Sequence, residues 1–340
     1  MKTIKLLATG GTIASVPHAD GRAPGLRAGE LLGYLPGLDK LCRVEAVDIL
    51  NMDSSNIQPE EWRVIAHAVM DALQSCDGVV ITHGTDTMAY TAAALSFMLR
   101  GLTKPVVITG SQLPITELFS DARTNLATAF ACACAPHPGV YLAFNNRIIP
   151  GTRAFKIRSM GFDAFRSINA PDAGFCDARG VHIEHPLSAH DPTGLTHGEC
   201  RLFDELCPNV CLIKLIPGTD PALLGVLVGL GYRGVVIEAF GVGGFHYLRR
   251  NLPDTLHRLH DAGVAVVVTT QCLYDSTDLN IYEVGSVLRE SGIISARDMT
   301  TEAAVTKLMW VLAHTKDLNE AARLMALNFC GEISEEAPLS

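Results

Sequence analysis

One pattern of apolar and polar positions recurs along the chain. A short, nearly unbroken apolar run is followed by a turn rich in Gly and hydroxyl residues, then by a stretch with helical spacing. It appears at TIKLLATGGT (3–12), GVVITHGTDT (78–87), PVVITGSQLP (105–114), VYLAFNN (140–146), CLIKLIPGTD (211–220), GVVIEAFGVGG (234–244) and AVVVTTQC (265–272). Runs that are apolar throughout, rather than alternating, belong to parallel strands covered on both faces. Between them, residues 59–75 open with Pro59-Glu60-Glu61 and place Trp62, Ile65, Val69 and Leu73 on one helical face. Residues 86–99 place Met88, Ala92, Leu95 and Leu99 likewise, and Gly101 ends the segment. Asp220-Pro221 opens a further helix, and residues 302–314 another.

Strands alternating with helices predict an α/β fold built on a mostly parallel sheet. The pattern lapses at HPLSAHDPTGLTHGECRLFDELCPN, rich in Pro, Gly, His and polar residues, which reads as a linker over 185–209. The expected organisation is a larger N-terminal α/β domain over 1–184 and a smaller α/β C-terminal domain over 210–340. In such sheets ligands sit at the carboxyl ends of strands, where the hydroxyl-rich turns converge. That pools Thr12, Ser54, Ser55, Thr85, Asp86 and Ser111 as candidates for one crevice.

Composition narrows the partners. The net charge of −9, from 36 acidic against 27 basic residues, opposes a sequence-independent grip on phosphate backbones, so no nucleic acid partner is expected. No apolar run is long enough to span a bilayer, and glycines interrupt the first one too early for a secretion signal. The ten cysteines and twelve histidines follow no ligand-pair spacing, which reads as reduced thiols in a cytoplasmic protein with no metal. Cys272 reads as a buried structural thiol.

The turn LATGGTIA (7–14) has three readings. A phosphate cradle requires a G-x-x-x-x-G-K-[ST] or G-x-G-x-x-G pattern, and neither is present. A plain strand-to-loop turn with glycines at positive φ remains open. So does a mount for a nucleophilic hydroxyl, and because a Thr hydroxyl is a weak nucleophile, Thr12 would then need a base from elsewhere in the chain. In GVVITHGTDTMAY (78–90), Thr85 and Asp86 stand side by side before a helix, where one of them is expected to cap it. Asn56 is placed to cap the helix beginning near Pro59.

Taken together, TGGTIA (9–14) and HGTDTMAYTA (83–92) resemble the two signatures of the bacterial-type L-asparaginase family in position and spacing. MDSSNIQPEEW (52–62), TGSQLP (109–114), NNRIIPGTRAFKIRSMGFDAF (145–165) and TQC (270–272) resemble segments of its cytoplasmic type I branch. The resemblance implies hydrolysis of the side-chain amide of L-asparagine to L-aspartate and ammonia, without cofactor, and leaves room for a weaker glutaminase activity. It implies Thr12 as a nucleophile forming a covalent acyl-enzyme, with Thr85, Asp86 and Lys156 as a second catalytic set. Lys156 suits a base if burial disfavours its ammonium form. Ser54 and Ser55 would hold the α-carboxylate and Asp86 the α-ammonium, with Gly11, Gly84 and Ser111 completing the pocket. A backbone N–H at the Thr85 turn would stabilise the oxyanion, worth on the order of 3–4 kcal/mol. A homodimer or homotetramer is implied.

Three positions depart from the family pattern. The loop SVPHADGRAPGLRAGE (15–30), suited to a lid, has no Tyr, and Arg22 stands where the type I Tyr aligns. Gly244 stands where relatives carry an Asn donated across a subunit interface, and Glu238 replaces an Arg of the regulated type. Two other functions share the signatures or the fold. One is the amidase subunit of a tRNA-dependent amidotransferase, which has an added N-terminal domain that Thr12, so near the start, leaves no room for. The other is a non-catalytic amino-acid-binding protein, which would have no need of Thr12, Thr85, Asp86 and Lys156 together.

Overall fold

A computed structural model describes the chain except for residues 19–20, 188–191, 195–198, 282–291 and 335–340. The chain divides into two compact units, Met1–Asp204 and Glu205–Ser340.

The first unit is built on an eight-stranded sheet. Five strands run parallel, in the spatial order Gly139–Phe144, Pro105–Thr109, Gly78–Thr82, Thr3–Gly10, Arg43–Met52. Three antiparallel strands, Arg147–Pro150, Gly174–Asp177 and Gly180–Ile183, extend the Gly139–Phe144 edge. The inner strands Gly78–Thr82 and Pro105–Thr109 are buried at every residue, which is why they read as unbroken apolar runs. Arg43–Met52 is the edge strand, and its exposure is largely alternating. It therefore lacks the apolar run that marks the others.

The helix at Pro59–Leu73 starts at the expected proline, but its cap is not Asn56. Gln58 is the capping residue, and the Glu61 carboxylate accepts from the Gln58 N–H at 2.9 Å. The next helix, Met88–Met98, buries ten of its eleven residues, so the one-sided face expected of it is only part of its packing. Neither Thr85 nor Asp86 caps it; Thr87 occupies that position.

Strand order locates the crevice. From Thr3–Gly10 the chain moves to Arg43–Met52 on one side and then to Gly78–Thr82 on the other. Successive connections part at the carboxyl end of the first strand, the position where doubly wound sheets open a cleft. The turn at Gly10–Thr12 lies there.

Among the described residues the second unit has a sheet of four strands in sequence order, Val210–Lys214, Gly234–Ala239, Ala265–Thr270 and Ile294–Ser295, all parallel. Leu224, Val235, Ile237, Leu252, Leu256, Val266 and Val268 share its core. In it, Lys307 and Glu332 form a fully buried ion pair at 2.7 Å, and Lys307 also donates to the Met325 and Leu327 carbonyls. Contrary to the sequence reading, Cys272 is exposed, in the turn after Ala265–Thr270.

Glu302, in the first turn of the helix Thr301–His314, is less comfortable. Its Oε2 is buried and finds no partner among the described residues. Burial first, and Glu238 second, push its carboxyl up to about 7. A raised carboxyl favours the fold at low pH, and that contribution is lost as pH rises from the unfolded value through about 7. Glu302→Gln removes the titration. Its stability gain over wild type, from melts at pH 5 and pH 8, is expected to widen toward pH 8, by up to about 3 kcal/mol. An unchanged difference would contradict the assignment.

Candidate active site

The site is built from the loops that leave the carboxyl ends of the parallel strands. Gly11 follows the first strand at φ 79°, a left-handed conformation that suits glycine. Its N–H donates to the Met52 carbonyl at 3.0 Å, and its own carbonyl accepts from Ser15 Oγ at 3.1 Å. A Cβ at Gly11 would lie 2.6 Å from Gly84 Cα, and a Cβ at Gly84 would lie 2.7 Å from Ser54 Cβ. The first two loops therefore touch through backbone, the Ser54 side chain packs on Gly84 from the third, and Thr12 and Thr85 each follow immediately on the glycine contact. Thr12 is half-buried in a single 3-10 turn, and its hydroxyl has no hydrogen-bond partner among the described residues.

Lys156 comes from a two-stranded hairpin, Ala154–Lys156 with Phe165–Ser167. Its Nζ donates to Thr85 Oγ1 at 2.7 Å and to Asp86 Oδ1 at 2.6 Å. The Lys156 side chain is 18% exposed and that of Asp86 65%, so the amine sits inside and the carboxylate at the mouth. The hairpin is anchored through Asp163. Arg166 holds that carboxyl well below the ordinary carboxylate range, and Asn145 Nδ2 donates to it at 3.1 Å. Asn145 is tied in turn through its N–H to Asn125 Oδ1 at 2.8 Å.

Gln112 is a contributor that no sequence signal singled out. Its Oε1 accepts from Thr85 Oγ1 at 3.2 Å, while its Nε2 donates to the carbonyls of Arg158 and Gly161. It links the Thr85 turn to the loop after Lys156. The donor count orients the Thr85 proton: Lys156 donates to the hydroxyl oxygen, and the hydroxyl donates to Gln112. Asp121 secures the Gln112 loop by accepting from the Gln112 and Leu113 N–H groups.

The remaining predicted residues divide. Ser54 is buried, and its Oγ accepts from the Asp86 N–H at 3.3 Å. Its carbonyl accepts from Thr87 Oγ1 at 2.7 Å. Ser55 is exposed and its hydroxyl turns back to Asp53 Oδ1 at 2.7 Å. Ser55 N–H and hydroxyl together hold the Asp53 carboxyl below its usual value. Ser111 is fully buried, and its hydroxyl donates to the Leu113 carbonyl within its own loop. The lid segment forms a hairpin, Ser15–His18 with Gly21–Pro24, which pairs Arg22 with Pro17; its tip, 19–20, lies outside the described residues. Among the described residues, no group of three or more His, Cys, Asp or Glu is gathered to hold a metal ion.

Comparison with known proteins places the chain in a family. Residues 3–189 match the model of the asparaginase N-terminal domain, and residues 209–325 match that of the glutaminase/asparaginase C-terminal domain. The chain belongs to the asparaginase family. It is 46% identical over 331 residues to an L-asparaginase of Thermococcus kodakarensis, covering 97% of this chain and 98% of that protein. A solved structure of the thermostable L-asparaginase from that organism matches with a TM-score of 0.91 at 44% identity, over 98% of this chain and 100% of that one. The chain is also 39% identical to a glutamyl-tRNA(Gln) amidotransferase subunit of Pyrococcus furiosus, over 98% of its own length and 77% of the relative's. Sequence similarity thus extends both to an L-asparaginase and to an amidotransferase subunit.

Gln112→Leu removes three hydrogen bonds around Thr85 while keeping similar bulk. At about 1 kcal/mol net each, a loss of about 1–3 kcal/mol in transition-state stabilisation is expected, read as a fall of about 5- to 150-fold in kcat/KM for amide hydrolysis. A variant with unchanged kinetics would remove Gln112 from the site.

Proposed function

We propose that this chain hydrolyses L-asparagine to L-aspartate and ammonia through a Thr12 acyl-enzyme, with weaker action on L-glutamine. The observation that carries the reading is the Lys156 amine, which donates to both the Thr85 hydroxyl and the Asp86 carboxylate beside the turn that presents Thr12.

In this reading Lys156 enters as the free amine: Thr12 Oγ1 attacks the amide carbon and hands its proton to Thr85 Oγ1, whose own proton turns from Gln112 to the lone pair of Lys156 Nζ. The carbonyl oxygen of the substrate becomes an oxyanion that the Thr85 N–H stabilises. The returned proton leaves with the amine as ammonia, which leaves an ester on Thr12. Water, relieved of a proton by the same arm, then hydrolyses the ester and frees L-aspartate. Asp86, at the mouth, accepts from the α-ammonium group. Ser54, Ser55 and the backbone of Gly11 and Gly84 line the α-carboxylate side, with Ser111 supporting the loop behind Thr85. No cofactor enters these steps.

A cytoplasmic homodimer or homotetramer fits the surface and composition. In the second unit the apolar Leu223, Val226 and Leu230 are exposed, a face suited to a second copy of the chain. Among the described residues no helix is long and apolar enough to cross a membrane.

Ammonia release from free L-asparagine tests the proposal directly. Wild type should turn over without tRNA, and Thr12→Ala and Lys156→Met should each lose at least about a thousandfold in kcat. Glutamine assayed in parallel should give the lower kcat/KM. Ammonia release that depends on a charged tRNA would instead favour the amidotransferase-like function, and an unimpaired Thr12→Ala would remove the nucleophile.

A further inference from the structure

One titratable group at the heart of the second glycine turn takes no part in the steps above. His83 is fully buried, and burial pushes its imidazole down to about 4, so at neutral pH the ring is uncharged. A neutral imidazole has one N–H donor and one acceptor nitrogen, and its neighbours decide which is which. His83 Nδ1 lies 2.7 Å from the Gly84 carbonyl oxygen, which can only accept. The proton therefore sits on Nδ1, and Nε2 is the acceptor. Thr91 Oγ1 stands 3.0 Å from that Nε2. The Thr91 oxygen itself accepts from Trp62 Nε1 at 2.9 Å, a nitrogen that can only donate, so the Thr91 hydroxyl proton is left for His83. The order is one-directional: Trp62 to Thr91, Thr91 to His83, His83 to the Gly84 carbonyl. Trp62, Thr91 and His83 are all buried, so water does not compete for these bonds.

This chain of bonds ends on a peptide group that matters. In a trans peptide the C=O and the following N–H point in opposite directions within one plane, so fixing one aims the other. The N–H that follows the Gly84 carbonyl belongs to Thr85, and it has no hydrogen-bond partner among the described residues. We propose that His83 is a positioning residue: by clamping the Gly84 carbonyl it holds the plane of the Gly84–Thr85 peptide, so that the Thr85 N–H faces the crevice as the oxyanion donor. The inference rests on the amide hydrolysis proposed above. It assigns the side chain and the backbone of Thr85 to separate supports. Lys156 and Gln112 set the hydroxyl, while His83 sets the N–H.

Three substitutions in the full-length protein test this role. Asn at this position brings a side-chain N–H close to where Nδ1–H stands, Gln brings its amide toward the Nε2 side, and Leu brings neither. His83→Gln and His83→Leu should lower kcat on L-asparagine about tenfold or more with KM within about twofold, because a displaced oxyanion donor is felt mainly in the transition state. His83→Asn should stay within about threefold of wild type. Melting temperatures are recorded alongside. A purely structural His83 would lower stability in all three variants and leave the kcat of the folded fraction alike, which would overturn the proposal. Nitrogen-15 NMR of histidine-labelled wild type supplies a readout that needs no variant: a neutral ring protonated on Nδ1 is expected, and protonation on Nε2 overturns the assignment. Active wild type with an unaffected His83→Leu would sink the positioning role alone. Wild type that releases no ammonia from asparagine would sink the hydrolysis reading and this role with it, whatever the tautomer.

Discussion

Two loops can meet at the top of this sheet only because neither has a side chain at the point of contact. Adjacent parallel strands stand about 4.8 Å apart, so the turns that leave Thr3–Gly10 and Gly78–Thr82 arrive almost in contact. Gly11 and Gly84 let the two backbones close the remaining gap, and Gly84 also leaves room for the Ser54 side chain. A methyl group at Gly11 would push the first turn away from the second, and Thr12 would move with it. The spacing between the two threonines is thus set by main chain, which is stiffer than any side-chain contact. The hydrogen bonds from Gly11 to Met52 and from Ser15 to Gly11 keep the first turn from relaxing outward.

On that frame the polar groups divide by depth. His83, Thr91 and Trp62 lie in the interior, where an unpaired polar group costs about 1–3 kcal/mol, and each has its partner. Lys156 is mostly covered and satisfied by a hydroxyl and a carboxylate. Asp86, largely exposed, keeps a carboxylate oxygen at the mouth, where the α-ammonium group of the proposed substrate would meet it first. The order from inside to outside is a fixed neutral scaffold, then an amine, then a carboxylate at the mouth. Glu302 in the second unit shows the contrast: a buried carboxyl oxygen with no partner among the described residues answers by taking up a proton.

Much of the fold is legible in the sequence because inner parallel strands are covered on both faces. Each of the seven apolar runs is a strand, and each turn after it lies at a strand's carboxyl end. Arg43–Met52 is not legible in the same way, because an edge strand exposes about half its residues and RVEAVDILNM has no continuous apolar run. Met88–Met98 reads as one-sided because periodicity cannot recognise a helix buried all round. The site is harder. Thr85 and Lys156 are 71 residues apart, and no local pattern pairs them, so only likeness to a family brings them together. Gln112 gives no signal, since a glutamine in a polar loop looks the same whether it faces water or a threonine. Thr85 and Asp86 do not cap the helix that follows them because both side chains are already committed to Lys156, which a rule about helix ends cannot see.

The hydrogen-bond inventory also separates the two threonines by role. Thr85 is gripped at its hydroxyl by Lys156 and Gln112, and the carbonyl preceding its N–H is held by His83. Thr12 is held only by its backbone, through the 3-10 turn and the Gly11 contacts, and its hydroxyl is uncommitted among the described residues. That asymmetry suits an attacking group and its partner. A nucleophile hydrogen-bonded to the protein on both lone pairs would have to break those bonds before it reached a carbonyl carbon. In the proposed reaction the group that receives its proton would gain from being fixed, because proton transfer requires a donor and acceptor already at hydrogen-bond distance. As a β-branched residue, Thr12 still has few rotamers to choose from, so freedom from hydrogen bonds does not make it loose. Its approach is limited by its own Cγ methyl and by the turn that carries it, and a substrate carbonyl seated against Gly84 and Thr85 would meet a hydroxyl with nothing to give up but water.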